Sequence, residues 1–317
     1  MKYLRFQTMP FLTLFIALFI ILQLPASEAF AATKKIKLTF KTEDGQKLRG
    51  HLEKPEGPGP FPAVVFLHGS GGMGLYYKDM IQYLARNGFV GVAYARRSFP
   101  YGGGRPDRKI RYRDYIFKDV RDLNSAIDRL RELPHIGNSP ICVMGRSEGG
   151  QIAYLAASQI RGLKAVIGLN GVTDYIDWYD WAVSEYPKFP VSKFKYAAKN
   201  VVKIFGCTPK ECADRYNTLS PIHYVDEINC PIMIVHGEKD PQVPVRQTYW
   251  FANALKEQGK PHELHVYPHE GHFQAFFSAP KFGTGPGASW FNSQVWTKKS
   301  SQDLLTKIMD FLNKYLK

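Results

Sequence analysis

Short, almost wholly apolar runs recur along this chain: Ala63–Leu67, Phe89–Tyr94, Ile141–Met144, Ala165–Leu169 and Pro231–Val235. A strand buried on both faces reads as a continuous apolar run, because neither side of it meets water. Between the runs lie segments of helical period. In Asp114–Leu133 the residues Ile116, Val120, Leu123, Ile127 and Leu130 recur in steps of four and three, so one face is apolar. Leu75–Asn87 reads as a helix that stops at Gly88, and Gln151–Ile160 and Leu304–Tyr315 read as two more. Ile36–Phe40 and Leu48–Leu52 read as an opening hairpin turned at Glu43-Asp44-Gly45, and His262–Tyr267 as a last, alternating strand. Buried strands alternating with helices predict an α/β fold, with a mostly parallel central sheet covered by helices on both faces.

Two segments interrupt the alternation. About 60 residues separate Asn170 from Pro231, far more than an ordinary connection needs. They hold Tyr175, Trp178, Tyr179, Trp181, Tyr186, Phe189, Phe194, Tyr196 and Phe205. We expect a helical, aromatic-rich cap insertion over about residues 172–228. The second segment, Ser278–Ser300, is rich in Gly, Pro and Ser and carries Trp290 and Trp296.

The N-terminus reads differently. Lys2 and Arg5 precede the apolar run Phe11–Leu24, and Ala29-Phe30-Ala31 is a small-x-small cleavage site. This is the pattern of a secretory signal peptide over residues 1–31, and the run is shorter than the roughly 20 residues a membrane span needs. The expected mature chain, 32–317, is then secreted or periplasmic. In such a compartment Cys207 and Cys212 are expected to pair, whereas Cys142 and Cys230 lie in or beside buried-looking strands and read as small hydrophobes. The formal net charge is +14, or +13 once Lys2, Arg5 and Glu28 are removed. That charge aids solubility and suits electrostatic association with an anionic cell wall or membrane surface. The basic residues are scattered and form no nucleic-acid motif, so a nucleic-acid partner is not expected.

In open α/β sheets the reactive groups sit beyond the carboxyl ends of the strands. Gly145-Arg146-Ser147-Glu148-Gly149 follows one apolar run and precedes a helix, which places a serine at a tight strand-to-helix turn. His68-Gly69-Ser70-Gly71-Gly72 follows another run, His236-Gly237-Glu238-Lys239-Asp240 a third, and His269-Glu270-Gly271-His272 a fourth. A serine hydroxyl needs a base, the base needs a partner to hold its tautomer, and the oxyanion needs donors. These segments supply all three kinds of group. The glycines from Gly69 to Gly74 also match a dinucleotide fingerprint, but Arg96 and Arg97 stand where a ribose-binding acid is required. No Cys-x-x-Cys pair or His-Glu-x-x-His helix face is present, so neither a metal nor a cofactor is expected.

From about Leu48 onward the chain resembles the α/β-hydrolase superfamily, in the branch of dienelactone-hydrolase-like and prolyl-oligopeptidase-like serine hydrolases. The motifs that carry this, in order, are the His68-Gly69 loop, Gly145-x-Ser147-x-Gly149, the segment from His236 and Gly237 through Asp240 to Val243-Pro244, and Gly271-His272. The resemblance implies that Ser147 is the nucleophile, His272 the general base and Asp240 the acid that orients it. It implies oxyanion donors in the backbone N–H of Glu148 and of Ser70, with Gly71 as the alternative to Ser70. His269 competes with His272 and Glu238 with Asp240, and the motif favours the latter residue of each pair. His68 and His236 are expected to be structural, and Arg146 to face solvent. Among the cap aromatics, Tyr175, Trp178 and Trp181 are candidates to bind substrate.

The reaction expected first is hydrolysis of a carboxylic ester, of a small-molecule ester or an acylated glycan, through an acyl-enzyme. The alternative is a single-domain serine peptidase of prolyl-oligopeptidase type acting on short peptides. Only 115 residues of the expected mature chain precede Ser147, too few for an N-terminal propeller. An acyltransferase and a catalytically silent binding protein use the same fold and rank lower.

Overall fold

The computed structural model describes residues 32–70, 76–97, 118–188, 197–277 and 293–317. The expected signal segment, Gly71 and most of Ser278–Ser300 lie outside the described residues. In chain order the elements are β1 (Thr33–Lys41), β2 (Lys47–Pro55), β3 (Ala63–Leu67), α1 (Tyr76–Arg86), β4 (Val90–Tyr94), α2 (Asp119–Arg131), β5 (Ile141–Arg146), α3 (Glu148–Gln159), β6 (Ala165–Leu169), α4 (Tyr175–Glu185), α5 (Ala197–Phe205), α6 (Pro209–Asn217), β7 (Ile232–Gly237), α7 (Arg246–Glu257), β8 (His262–Tyr267) and α8 (Lys298–Leu316).

One sheet of eight strands runs in the order β1-β2-β4-β3-β5-β6-β7-β8. β1 pairs antiparallel with β2, and β2 antiparallel with β4; every later pairing is parallel. The carboxyl ends of β3 through β8 therefore lie along one edge. After β3 the chain steps to β4 on one side and then returns to β5 on the other. Ligand sites in open α/β sheets form at such a reversal, and here it falls between the loops that follow β3 and β5.

The apolar runs become central strands because both faces of the sheet are covered. Ala63, Val65 and Leu67 of β3 face one core, shared with Val120 and Leu123 of α2, Ile152 of α3 and Phe251 of α7. Val64 and Phe66 face the other, shared with Met80 of α1 and with Leu304 and Ile308 of α8. Each large apolar side chain so buried contributes roughly 1.5–3 kcal/mol, and this sustained burial holds the strands in register. The α8 helix starts at Thr297, whose hydroxyl accepts from the Ser300 N–H at 3.2 Å.

The insertion between β6 and β7 holds α4, α5 and α6 together with two short 3₁₀ turns, Tyr186–Lys188 and Pro221–Glu227. These helices agree with a helical insertion over about residues 172–228. Cys207 and Cys212 form a disulfide across the start of α6, with Cα atoms 6.1 Å apart. Thr208 and Glu211 cap the same helix reciprocally. Cys142 and Cys230 are free and buried. The α7 helix carries no mark in the sequence pattern: its buried residues include the polar Gln247 and Thr248, which an apolar-period reading passes over.

Candidate active site

Ser147 caps the N-terminus of α3 with φ +56° and ψ −126°, a strained conformation for a residue with a side chain. Its neighbours make that turn possible. A Cβ on Gly145 would collide with the Gly149 backbone, and one on Gly149 with the Leu67 and His68 carbonyls. The turn is pinned by Ser147 N–H to Leu169 O at 2.7 Å and by Gly150 N–H to Ser147 O at 2.8 Å. Gly69, after β3, lies directly against it: a Cβ there would stand 3.1 Å from Ser147 Cβ and 3.7 Å from Oγ. The loop after β3 thus flanks the serine. Ser70 is exposed on that loop. The Glu148 N–H belongs to the first turn of α3, where a helix provides no internal acceptor and the field favours negative charge.

His272 is buried, and its Nδ1 lies 2.6 Å from Asp240 Oδ2. Asp240 receives further donors. Its Oδ1 accepts from the N–H groups of Gln242 at 2.7 Å and Val243 at 3.0 Å. Its Oδ2 also accepts from Asn170 Nδ2 at 2.6 Å and lies 3.3 Å from His236 Nε2. Burial by itself would raise the Asp240 pKa, but the electrostatic pull of the His272 and His236 imidazoles and their hydrogen bonds to it hold it well below the usual carboxylate range. An ionised Asp240 keeps the proton of His272 on Nδ1 and leaves Nε2 as the basic nitrogen. Among the described residues no hydrogen bond joins Ser147 to His272. Their chain neighbours meet directly: the Arg146 guanidinium lies over the Phe273 ring at 5.2 Å.

The competing residues are placed elsewhere. His269 and Glu238 are exposed, whereas His272 and Asp240 are buried. His68 accepts from Arg96 N–H at 3.2 Å through Nε2 and lies 2.8 Å from Gly69 O through Nδ1. Burial, then the charges of Arg96 and Arg146, push its pKa well below the usual histidine value, so it stays neutral and braces the loop. His236 is held between Val243 O and Thr248 Oγ1. Arg146 does not extend freely into solvent as the sequence reading has it; it is half-buried, with its guanidinium over the Phe273 ring.

Three aromatic candidates divide by exposure. Tyr175 is buried; its hydroxyl donates to Gln151 Oε1 at 3.1 Å, and its ring packs edge-on against Trp178 and Phe205. That makes it part of the cap's own core. Trp178 and Trp181 remain half-buried, and Trp178 Nε1 donates to Gln242 O at 2.9 Å, two residues from Asp240.

Several residues the motifs do not mark complete the site. Glu270 accepts from Thr297 N–H and Oγ1, and Trp296 Nε1 donates to Gly271 O, so the histidine loop is tied to the start of α8. Arg96 is fully buried and bridges Asp119 at 2.7 Å and Glu148 at 2.6 Å, directly behind the serine turn. Asn170 directly follows an apolar run, the same kind of position that singles out Ser147, Asp240 and His272; that signal was present in the sequence. Among the described residues no cluster of His, Cys, Asp or Glu has the arrangement of a metal site.

Comparison with known proteins adds to this geometry. The prolyl oligopeptidase family model matches residues 75–317. An uncharacterized peptidase of Bacillus subtilis, YtmA, is 27% identical over 232 residues, covering 73% of this chain and 83% of the relative. The acylaminoacyl peptidase of Pyrococcus horikoshii superposes with a TM-score of 0.70 at 23% identity, over 90% of this chain and 42% of its own. A putative dienelactone hydrolase from Klebsiella pneumoniae superposes with a TM-score of 0.60 at 16% identity, over 90% of this chain and all of its own. The likeness to the two solved structures is one of fold: the α/β-hydrolase fold, with a sheet that is mixed at β1 and β2 and parallel beyond. The chain spans less than half the length of the acylaminoacyl peptidase.

Proposed function

Since this chain belongs to the prolyl oligopeptidase family of serine hydrolases, we propose that it is a serine peptidase cleaving short peptides or acylated amino acids. This reading replaces carboxylic esters as the first substrate class, because the family model and the YtmA relative both point to peptides. One observation carries the chemistry: a strained serine at a helix N-terminus and a buried His272–Asp240 pair all follow the carboxyl ends of parallel strands of one sheet.

In this scheme Ser147 Oγ attacks the scissile carbonyl while His272 Nε2 takes its proton. Asp240 holds the Nδ1–H and stabilises the imidazolium that forms. The Glu148 N–H, and that of Ser70 or Gly71, donate to the oxyanion; one such donor contributes about 3–4 kcal/mol to lowering the barrier. The tetrahedral intermediate collapses as His272 returns the proton to the leaving amine. Water, deprotonated by the same imidazole, then hydrolyses the acyl-enzyme. The segment 1–31 directs this activity outside the cytoplasm.

The test compares N-acylated and free aminoacyl p-nitroanilides with p-nitrophenyl acetate and butyrate. We expect the anilides to be cleaved, and Ser147→Ala to lower kcat on both classes by about 10⁴-fold or more. Ester cleavage without anilide cleavage returns the ester reading. Equal activity in wild type and Ser147→Ala overturns the nucleophile.

A further inference from the structure

Asn170 stands one residue beyond β6, between the loops that carry Asp240 and His272, and it is fully buried. Its N–H donates to Val235 O at 2.8 Å, continuing the ladder between β6 and β7. Its φ is +52°, a left-handed conformation that Asn tolerates better than most residues with a side chain. Its Nδ2 donates to Asp240 Oδ2 at 2.6 Å and to Gly271 O at 3.3 Å. Its Oδ1 accepts from Gln274 Nε2. Two acceptors on one side of the amide and a donor on the other fix its orientation, and neither a carboxylate nor an aliphatic side chain offers that pattern. A single side chain therefore grips the acid and the residues on both sides of His272.

We propose that Asn170 is a positioning residue for the reaction: it fixes the Asp240 carboxylate and the His272 loop so that Nε2 is aimed at Ser147. The inference rests on the Ser147–His272–Asp240 reading above. Oδ1 of Asp240 is anchored by two backbone N–H groups, but Oδ2 has only side-chain partners. Without Asn170 the Oδ2 side of the carboxylate keeps only imidazoles, and the Gly271 carbonyl loses a donor. The imidazole then loses alignment, which affects proton transfer and not the binding of unreacted substrate.

The experiment uses Asn170→Ala and Asn170→Asp in the full chain, with kcat and KM measured on the best anilide or ester substrate. We expect Asn170→Ala to lower kcat by about 10- to 100-fold, with KM within about twofold of wild type. Asn170→Asp sets a second carboxylate against Asp240. The added negative charge favours the imidazolium, so the acid limb of kcat/KM moves to higher pH. Among the described residues, the charged or titratable groups facing the pair include His236 from β7 and, across Phe273, Arg146 from β5, and both variants leave them in place. A purely structural role lowers stability without moving that limb. Gln274→Ala covers the case in which Asn170→Ala does not fold. It removes only the donor to Oδ1, and we expect a smaller fall in kcat at unchanged KM. An unchanged kcat in folded Asn170→Ala, a stationary acid limb in Asn170→Asp, or an unchanged kcat in Gln274→Ala when Asn170→Ala is unfolded overturns the proposal. Activity that survives Ser147→Ala counts against the triad instead, and so separates the two failures.

Discussion

Asp119 and Asp240 are both buried carboxylates, and the fold treats them in opposite ways. Burial raises the Asp119 pKa to about 7; the charge of Arg96 opposes this, while the nearby carboxylates of Glu148 and Asp122 reinforce it. Its Oδ2 is bonded to Arg96, and its Oδ1 has no hydrogen-bond partner. Asp240 is equally buried, yet backbone and side-chain donors reach both of its oxygens, and it stays ionised. The neighbouring groups decide between them: Asp119 has the Glu148 and Asp122 carboxylates beside it, whereas Asp240 faces the imidazoles of His272 and His236. A consequence follows for stability. With a folded pKa above its unfolded value, Asp119 binds more protons in the folded state between about pH 4 and 7. Its contribution is most favourable below that window and falls as pH rises through it, by at most about 1.4 kcal/mol per pH unit. Urea denaturation of wild type against Asp119→Asn across that range should show wild type losing ground as pH rises; a constant difference would refute it. Asp240 was legible in the sequence because it follows a strand within a motif. Asp119 was not, because an apolar-period reading of a helix does not register carboxylates buried against an arginine in the loop after β4.

At the scale of elements, the cap is held by polar groups that periodicity does not reveal. Asp174 Oδ1 accepts from the N–H groups of Ile176 and Asp177 and so caps α4. Gln247 of α7 is fully buried beneath this turn. Its Oε1 accepts from Thr173 N–H at 3.0 Å and Asp174 N–H at 3.3 Å. Its Nε2 donates to Asp174 O and Asp177 Oδ2, both at 2.8 Å. Gln247→Leu keeps the bulk and strips the partners from these groups. We expect a loss of about 2–4 kcal/mol in the unfolding free energy, and greater protease susceptibility within α4. A loss below about 0.5 kcal/mol would mean that solvent replaces the amide. The cap's aromatic content was legible; its use was only partly so. Tyr175 and Phe205 pack into the cap's core, and stacking of Phe205 on Tyr216 at 4.0 Å extends it.

For the whole molecule, sheet order brings together what the sequence scatters. Ser147 follows β5, Asn170 follows β6, Asp240 follows β7 and His272 follows β8, and these strands are parallel neighbours. The pattern at the N-terminus bears on the chain as a whole as well. Expressed with residues 1–31, the protein should be recovered outside the cytoplasm with Ala32 as its first residue, as read by N-terminal sequencing. An uncleaved, cytoplasmic product would rule out the export reading. The sequence alone determined the strands, most of the helices and the four segments that carry reactive groups, because apolar continuity, helical period and turn glycines are local signals. Only the tertiary structure decided which polar residues meet: Asn170 on Asp240, Arg96 between Asp119 and Glu148, Gln247 under the cap. Those contacts join groups far apart in the chain. Their energy comes from pairing charges and amides away from water, and no local pattern records which partner a buried polar group will find.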